Sequence, residues 1–245
     1  MRTFRPIGND RPASSTGAAT QLSRRSFLVA MPALLAACQS MPQGDASAPE
    51  IAAPPVSPVH QAMYAAMPHE EFPIPAIDVS RIDPQFLRQE VADPTGEAPG
   101  TLVVDTGQRF LYLVQEDGRA LRYGIGVGRE GLAWDGRADI LMKREWPRWT
   151  PTQNMMARDP SLEQYRNGME PGLDNPLGAR ALYLFEDGRD TLYRLHGTNE
   201  PWSIGMAMSS GCIRLFNQDI IDLYGRVPRG SQVLVMEHRD TEVAV

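Results

Sequence analysis

Cysteine is nearly absent from this chain, with two in 245 residues, and histidine is scarce at four. Two cysteines cannot build a disulfide framework. No group of histidine, cysteine and aspartate has the spacing of a metal site, so no metal is expected. No apolar run is long enough to cross a bilayer as a mature helix, and no internal repeat is present. Positive charge is in deficit, with 24 basic residues against 30 acidic ones for a net charge of −6. An acidic chain without a basic cluster argues against nucleic acid as a partner. The glycine-rich run Gly124-Ile125-Gly126-Val127-Gly128 is not followed by a helical pattern, which argues against a nucleotide-binding loop. No cofactor is expected.

The N-terminus reads as an export signal over residues 1–37. Ser23-Arg24-Arg25-Ser26-Phe27-Leu28 resembles a twin-arginine signal, and an uncharged stretch from Phe27 to Ala37 follows it. The stretch ends in Leu35-Ala36-Ala37-Cys38, which resembles the lipobox of bacterial lipoproteins. Cys38 is then the lipidated first residue of the mature protein; the alternative is cleavage by an ordinary signal peptidase. Five of the basic residues and one acidic residue lie in this segment, so the remainder carries a net charge of −10. Periplasmic localisation with a lipid anchor follows as an expectation. Lipidation leaves Cys212 as the sole thiol of an exported chain. Such a thiol is either functional or a small buried hydrophobe.

Residues 38–76 are rich in proline and alanine and read as a semi-extended tether, with a short helical patch near 61–66. At about 3 Å per residue it would reach on the order of 100 Å. Residues 77–99 form an N-terminal extension in which 84–88 could open a short helix. Residues 100–238 read as one mainly β domain, followed by a tail, 239–245. Strand-like runs occupy 101–105 and 109–114, and Glu116-Asp117-Gly118 turns the chain into 119–127. Further strands are predicted at 137–145, 181–186, 191–196 and 231–236, with Asp187-Gly188 as a second tight turn. A helix is predicted near the end, capped by Asn217, buried through Ile220, Ile221, Leu223 and Tyr224, and stopped by Gly225 and Pro228. Between them, 146–179 is a long loop, a length that marks functional or disordered segments. The carboxylates Asp135, Asp139, Asp174 and Glu186 are expected at a solvated surface.

His196 closes a predicted strand and faces a loop, whereas His60 and His69 lie in the tether and His238 beyond the last strand. Cys212 sits in Ser209-Ser210-Gly211-Cys212-Ile213-Arg214-Leu215, where small residues allow a tight turn and close approach of a carbonyl. A cysteine attacks as thiolate, and a neighbouring imidazole can take its proton and later return it to a leaving amine. The Cys212 N–H with its neighbours Ser210 and Gly211 could form an oxyanion hole.

The block His196-Gly197-Thr198-Asn199, Pro201-Trp202-Ser203-Ile204-Gly205 and Ser209-Ser210-Gly211-Cys212-Ile213-Arg214 resembles the L,D-transpeptidase family with its YkuD-type catalytic domain. Weaker likeness extends over 100–237 and includes the 124–128 run and the Asn175-Pro176-Leu177-Gly178 loop. The resemblance implies a two-sheet, β-sandwich-like domain with few short helices, Cys212 as nucleophile and His196 as proton donor and acceptor. Many members carry a second histidine where this chain has Ser210. Gly197 offers no side chain to orient the imidazole, so a backbone carbonyl is expected to do so. Arg214 either fixes the turn through an ion pair or binds a substrate carboxylate. Trp202, like Trp146 and Trp149, either lines a substrate cleft or packs.

What the resemblance implies about activity is transfer within peptidoglycan. The acceptor would be a second stem peptide, a lysine of an outer-membrane protein or lipoprotein, or a free D-amino acid. Two rivals remain at this level: a cysteine peptidase or amidase of the same fold, and a non-catalytic wall-binding lipoprotein.

Overall fold

The computed structural model describes residues 57–128, 134–209 and 212–236. The expected signal, lipobox and Cys38 lie outside these residues, as do Ser210 and Gly211 of the turn before Cys212.

The described residues are mainly β, and among them eleven strands are hydrogen-bonded in one continuous run. In chain order they are β1 (Gln89–Ala92), β2 (Leu102–Asp105), β3 (Phe110–Val114), β4 (Arg119–Gly124), β5 (Gly126–Gly128), β6 (Gly136–Glu145), β7 (Arg180–Glu186), β8 (Arg189–His196), β9 (Ala207–Ser209), β10 (Ile213–Arg214) and β11 (Gln232–Val235). The spatial order is β1-β4-β3-β2-β11-β6-β7-β8-β10-β5-β9. Both Asp-Gly turns hold two successive residues in the left-handed region, Asp117 and Gly118 at φ 60° and 69°, Asp187 and Gly188 at 49° and 76°. That conformation matches the twist of a tight hairpin, and it explains why β3–β4 and β7–β8 form where the sequence predicts them.

One apolar core takes alternate residues from both halves of the run. Leu102, Val104, Leu111, Leu113, Leu121 and Tyr123 come from β2–β4; Ile140, Leu182, Leu184, Leu195 and Ile213 come from the other half. The sandwich implied by the resemblance is therefore made by a single hydrogen-bonded array folding over its core. Helix α3 (Asn217–Arg226), the longest of the helices described, adds Ile220 and Leu223 to the same core.

The predicted end signals of that helix operate differently. Phe216 is its N-cap residue and gives no side-chain cap, while Asn217 spends its amide on tertiary bonds; Gly225 lies within the helix, which runs to Arg226.

Residues 57–76 depart from the tether expected of them. The first helix, α1 (Pro58–Met63), leads into Tyr64, which is fully buried with Val79, Leu87, Ile204 and Phe216. The Tyr64 hydroxyl donates to Asp219 at 2.9 Å and accepts from the Arg88 N–H at 2.7 Å. Gln218 Nε2 donates to the Pro75 carbonyl, and Glu70 accepts from Arg180 and from the Trp146 indole. Proline and alanine dominate the composition of this segment, but a few anchors decide its fate: one buried aromatic ring and hydrogen bonds to the Ala65 and Pro75 carbonyls.

The 146–179 stretch also carries local order. It holds α2 (Gln153–Arg158), a 3-10 turn over Pro160–Tyr165 and a bridge between Trp149 and Met169. Among the described residues no helix is long and apolar enough to cross a membrane.

Candidate active site

Strand β10 is two residues long and lies parallel to β8, with Ile213 opposite Leu195 and Arg214 opposite His196. Leu195 and Ile213 both enter the core. Since side chains alternate along a strand, Arg194, His196, Cys212 and Arg214 share the other face. The next position in that register sets Cys212 beside Arg194, whose backbone N–H points at the thiol. Sixteen residues separate histidine from cysteine in the chain, and sheet pairing brings them together.

His196 is buried, and its Nδ1 lies 2.6 Å from the Gly197 carbonyl oxygen. A carbonyl only accepts, so Nδ1 carries the hydrogen and Nε2 is the basic nitrogen. The backbone carbonyl expected to orient the ring is thus that of the next residue. Burial pushes the imidazole pKa down to about 4; the Gly197 hydrogen bond opposes this, and the charges of Arg214 and Arg194 add to it. Burial pushes the Cys212 thiol up, opposed by the Arg194 N–H and by the charges of Arg194 and Arg214. At neutral pH the resting pair is a thiol and an uncharged imidazole.

Cys212 opens into a cleft of about 610 Å³ whose walls include Tyr183, Leu192, Tyr193 and Arg194 on one side and Trp149, Thr152, Asn154 and Met155 on the other. The 146–179 stretch therefore forms a wall of the cleft. Arg194 stacks over the Tyr183 ring at 4.3 Å and bonds Asp190 through both terminal nitrogens at 2.6 and 2.7 Å. Leu192 is 71% exposed at the rim and holds a left-handed φ of 65°, its N–H donating to Asp190. Neither residue stood out in the sequence. Counting back two from His196 along its strand would have found Arg194, whereas no sequence signal marks the bulge that turns Leu192 outward.

The other candidates fall in different places. Arg214 Nη1 donates to Glu200 at 2.7 Å and lies 3.4 Å from the Ser203 hydroxyl. Trp202 is exposed and lines a separate cavity of about 650 Å³ with Ile77, Ile82, Phe86, Ile204 and Met206. Trp146 is buried against Phe72. The glycine run serves close packing: a Cβ on Gly124 would sit 2.3 Å from the Phe86 carbonyl oxygen. Among the described residues no cluster of His, Cys, Asp and Glu could hold a metal ion.

Comparison with known proteins adds a family and several relatives. The family model of the YkuD L,D-transpeptidase catalytic domain matches residues 99–235. A reading frame of Fuscovulum blasticum, named as an L,D-transpeptidase in the ATP synthase subunits region, is 36% identical over 138 residues, covering 55% of this chain and 68% of that protein. YbiS of Escherichia coli K12, named as a probable L,D-transpeptidase, is 34% identical over 158 residues, covering 60% of this chain and 47% of its own length. A solved structure from Brucella melitensis, described as a probable carnitine operon oxidoreductase, is 51% identical and covers 65% of this chain and 99% of that one, with a TM-score of 0.45. The match thus spans two thirds of one curated relative and just under half of the other.

Proposed function

Since the chain belongs to the L,D-transpeptidase family, we propose that it is a peptidoglycan acyltransferase in which Cys212 is the nucleophile and His196 its base. One observation carries this reading: the parallel pairing of β8 and β10 sets thiol and imidazole on one face of the sheet, with Nδ1 already engaged and Nε2 available.

In the first half-reaction Nε2 takes the thiol proton as Sγ attacks the carbonyl at the L-centre of diaminopimelate in a tetrapeptide stem. The oxyanion is met by the Cys212 N–H; a single such donor is worth about 10²–10³ in kcat. Collapse breaks the peptide bond, and His196 returns the proton to the departing D-alanine amine. In the second half an acceptor amine gives its proton to Nε2 and attacks the thioester, which releases the product and restores the thiol. The acceptor is a second stem peptide, a protein lysine or a D-amino acid. Cys38 lipidation would hold the enzyme to a membrane facing the wall.

Intact-mass spectrometry of the purified protein with tetrapeptide muropeptides tests the assignment. Loss of D-alanine and appearance of cross-linked dimers are expected, and both should vanish in Cys212→Ala and His196→Ala. D-alanine loss without any amine-dependent product would replace the transferase by a hydrolase. Absence of a thioacyl adduct on Cys212, even with a carbapenem, would refute catalysis.

A further inference from the structure

A peptide unit, not a side chain, holds the His196 ring, so whatever fixes that peptide fixes the base. On its N-terminal side the Gly197 N–H, which belongs to the preceding peptide, donates to the Arg180 carbonyl at 3.0 Å and ties the chain to β7. On its C-terminal side the Thr198 carbonyl, which belongs to the following peptide, accepts from Asn217 Nδ2 at 3.0 Å. Asn217 Oδ1 in turn accepts from the Ala179 N–H at 2.9 Å. Reversing this amide would set nitrogen against N–H and oxygen against carbonyl, so its orientation is determined by its partners. The fit is close on both sides. A Cβ on Gly197 would come within 2.2 Å of Asn217 Oδ1, and one on Gly178 within 2.3 Å.

We propose that Asn217 is a positioning residue of the active site, pinning the Thr198 carbonyl and through it the adjoining Gly197–Thr198 peptide, so that the Gly197 carbonyl keeps His196 in the Nδ1–H tautomer with Nε2 as the basic nitrogen. The proposal rests on the reading of His196 as the base. It also explains why the first residue of α3 leaves the helix end uncapped: its amide is committed to the turn behind the histidine. Cys212 and Asn217 lie five residues apart, joined through Leu215, whose N–H donates to the His196 carbonyl at 2.8 Å. One short segment therefore carries the nucleophile and the support of its base.

The test uses the full chain with ¹⁵N-labelled histidine and reads the His196 tautomer by NMR alongside the rate of Cys212 acylation by a carbapenem. Wild type is expected as the Nδ1–H tautomer. Asn217→Ala should give mixed tautomers and slow acylation by about a hundredfold, the scale of a misplaced catalytic group. Asn217→Asp, which keeps the acceptor for Ala179 and loses the donor to Thr198, should shift both readouts the same way, and it decides the matter if the alanine variant does not fold. Gln218→Ala removes bonds to the Ala65 and Pro75 carbonyls from the next residue of the helix and should leave the tautomer unchanged. An unaltered tautomer in both Asn217 variants overturns the proposal, as does a Gln218→Ala effect on the tautomer equal to theirs. Were wild type inert to acylation while Asn217→Ala still scrambled the tautomer, the base reading would fall and the positioning would stand.

Discussion

Burial acts on Cys212 and His196 in opposite directions, raising one pKa and lowering the other, and both shifts favour the uncharged form. In the mechanism we propose the neutral imidazole is the base, and it is lost only as pH falls through about 4. kcat/KM should therefore hold from neutral pH well into the acid range and drop near pH 4, and a pH–rate profile checks this. With Cys38 replaced by serine, alkylation of Cys212 should show an inflection above the ordinary thiol value of about 8.5. Arg194→Ala should move it higher still, because the guanidinium opposes the rise while the backbone N–H remains. An inflection below neutral pH would mean a preformed thiolate–imidazolium pair and would refute this account. The cysteine and histidine stood out in the sequence because their neighbours form a specific motif, and strand pairing sets them on one face. Arg194 lies outside that motif and was hidden, although strand alternation alone sets it on the face of His196.

Between elements, the contact that matters most is the one joining residues 57–88 to α3. Asp219 is fully buried there, and burial raises its pKa to about 7 against the opposing pull of Arg88 and the Tyr64 hydroxyl. The folded protein keeps a proton that the unfolded chain has released, so this contribution to stability is complete below about pH 4 and lost as pH rises through about 7. Asp219→Asn should accordingly gain on wild type between pH 5 and pH 8 in urea unfolding. Tyr64→Phe, which keeps the ring and strands two buried partners, should cost about 1–3 kcal/mol. Hairpins at the Asp-Gly turns were readable because two adjacent residues fix the backbone locally. Strand β10 was not, since two residues show no periodicity and pair because β8 and β5 are there to receive them on either edge. Docking of 57–76 was equally invisible: it depends on Asp219 and Gln218, more than 140 residues away. Asn217 looked like a helix cap for a related reason, because an amide at a helix start reads the same whether it bonds its own helix or another segment.

For the molecule as a whole, residues 57–76 pack onto the domain and so depart from the tether that composition implied. Cys38→Ser should leave an unlipidated protein in the soluble fraction with the domain's activity intact; membrane retention without a lipid mass would refute the anchor. The change in texture after Pro99 falls where the family match begins, but residues 57–88 already pack with the domain. One last consequence follows from the shortness of β10. Its register rests on two residue pairs with each neighbour, and a strand has only two faces, so what the pairing fixes is parity. One residue inserted between Cys212 and Leu215 would exchange inside for outside and send the sulfur toward the core, whereas two would restore the facing. Length changes in the excursion between Asn199 and Met206 carry no such odd-or-even rule, so among relatives that keep the pair, insertions should gather there and spare the six residues from Cys212 to Asn217.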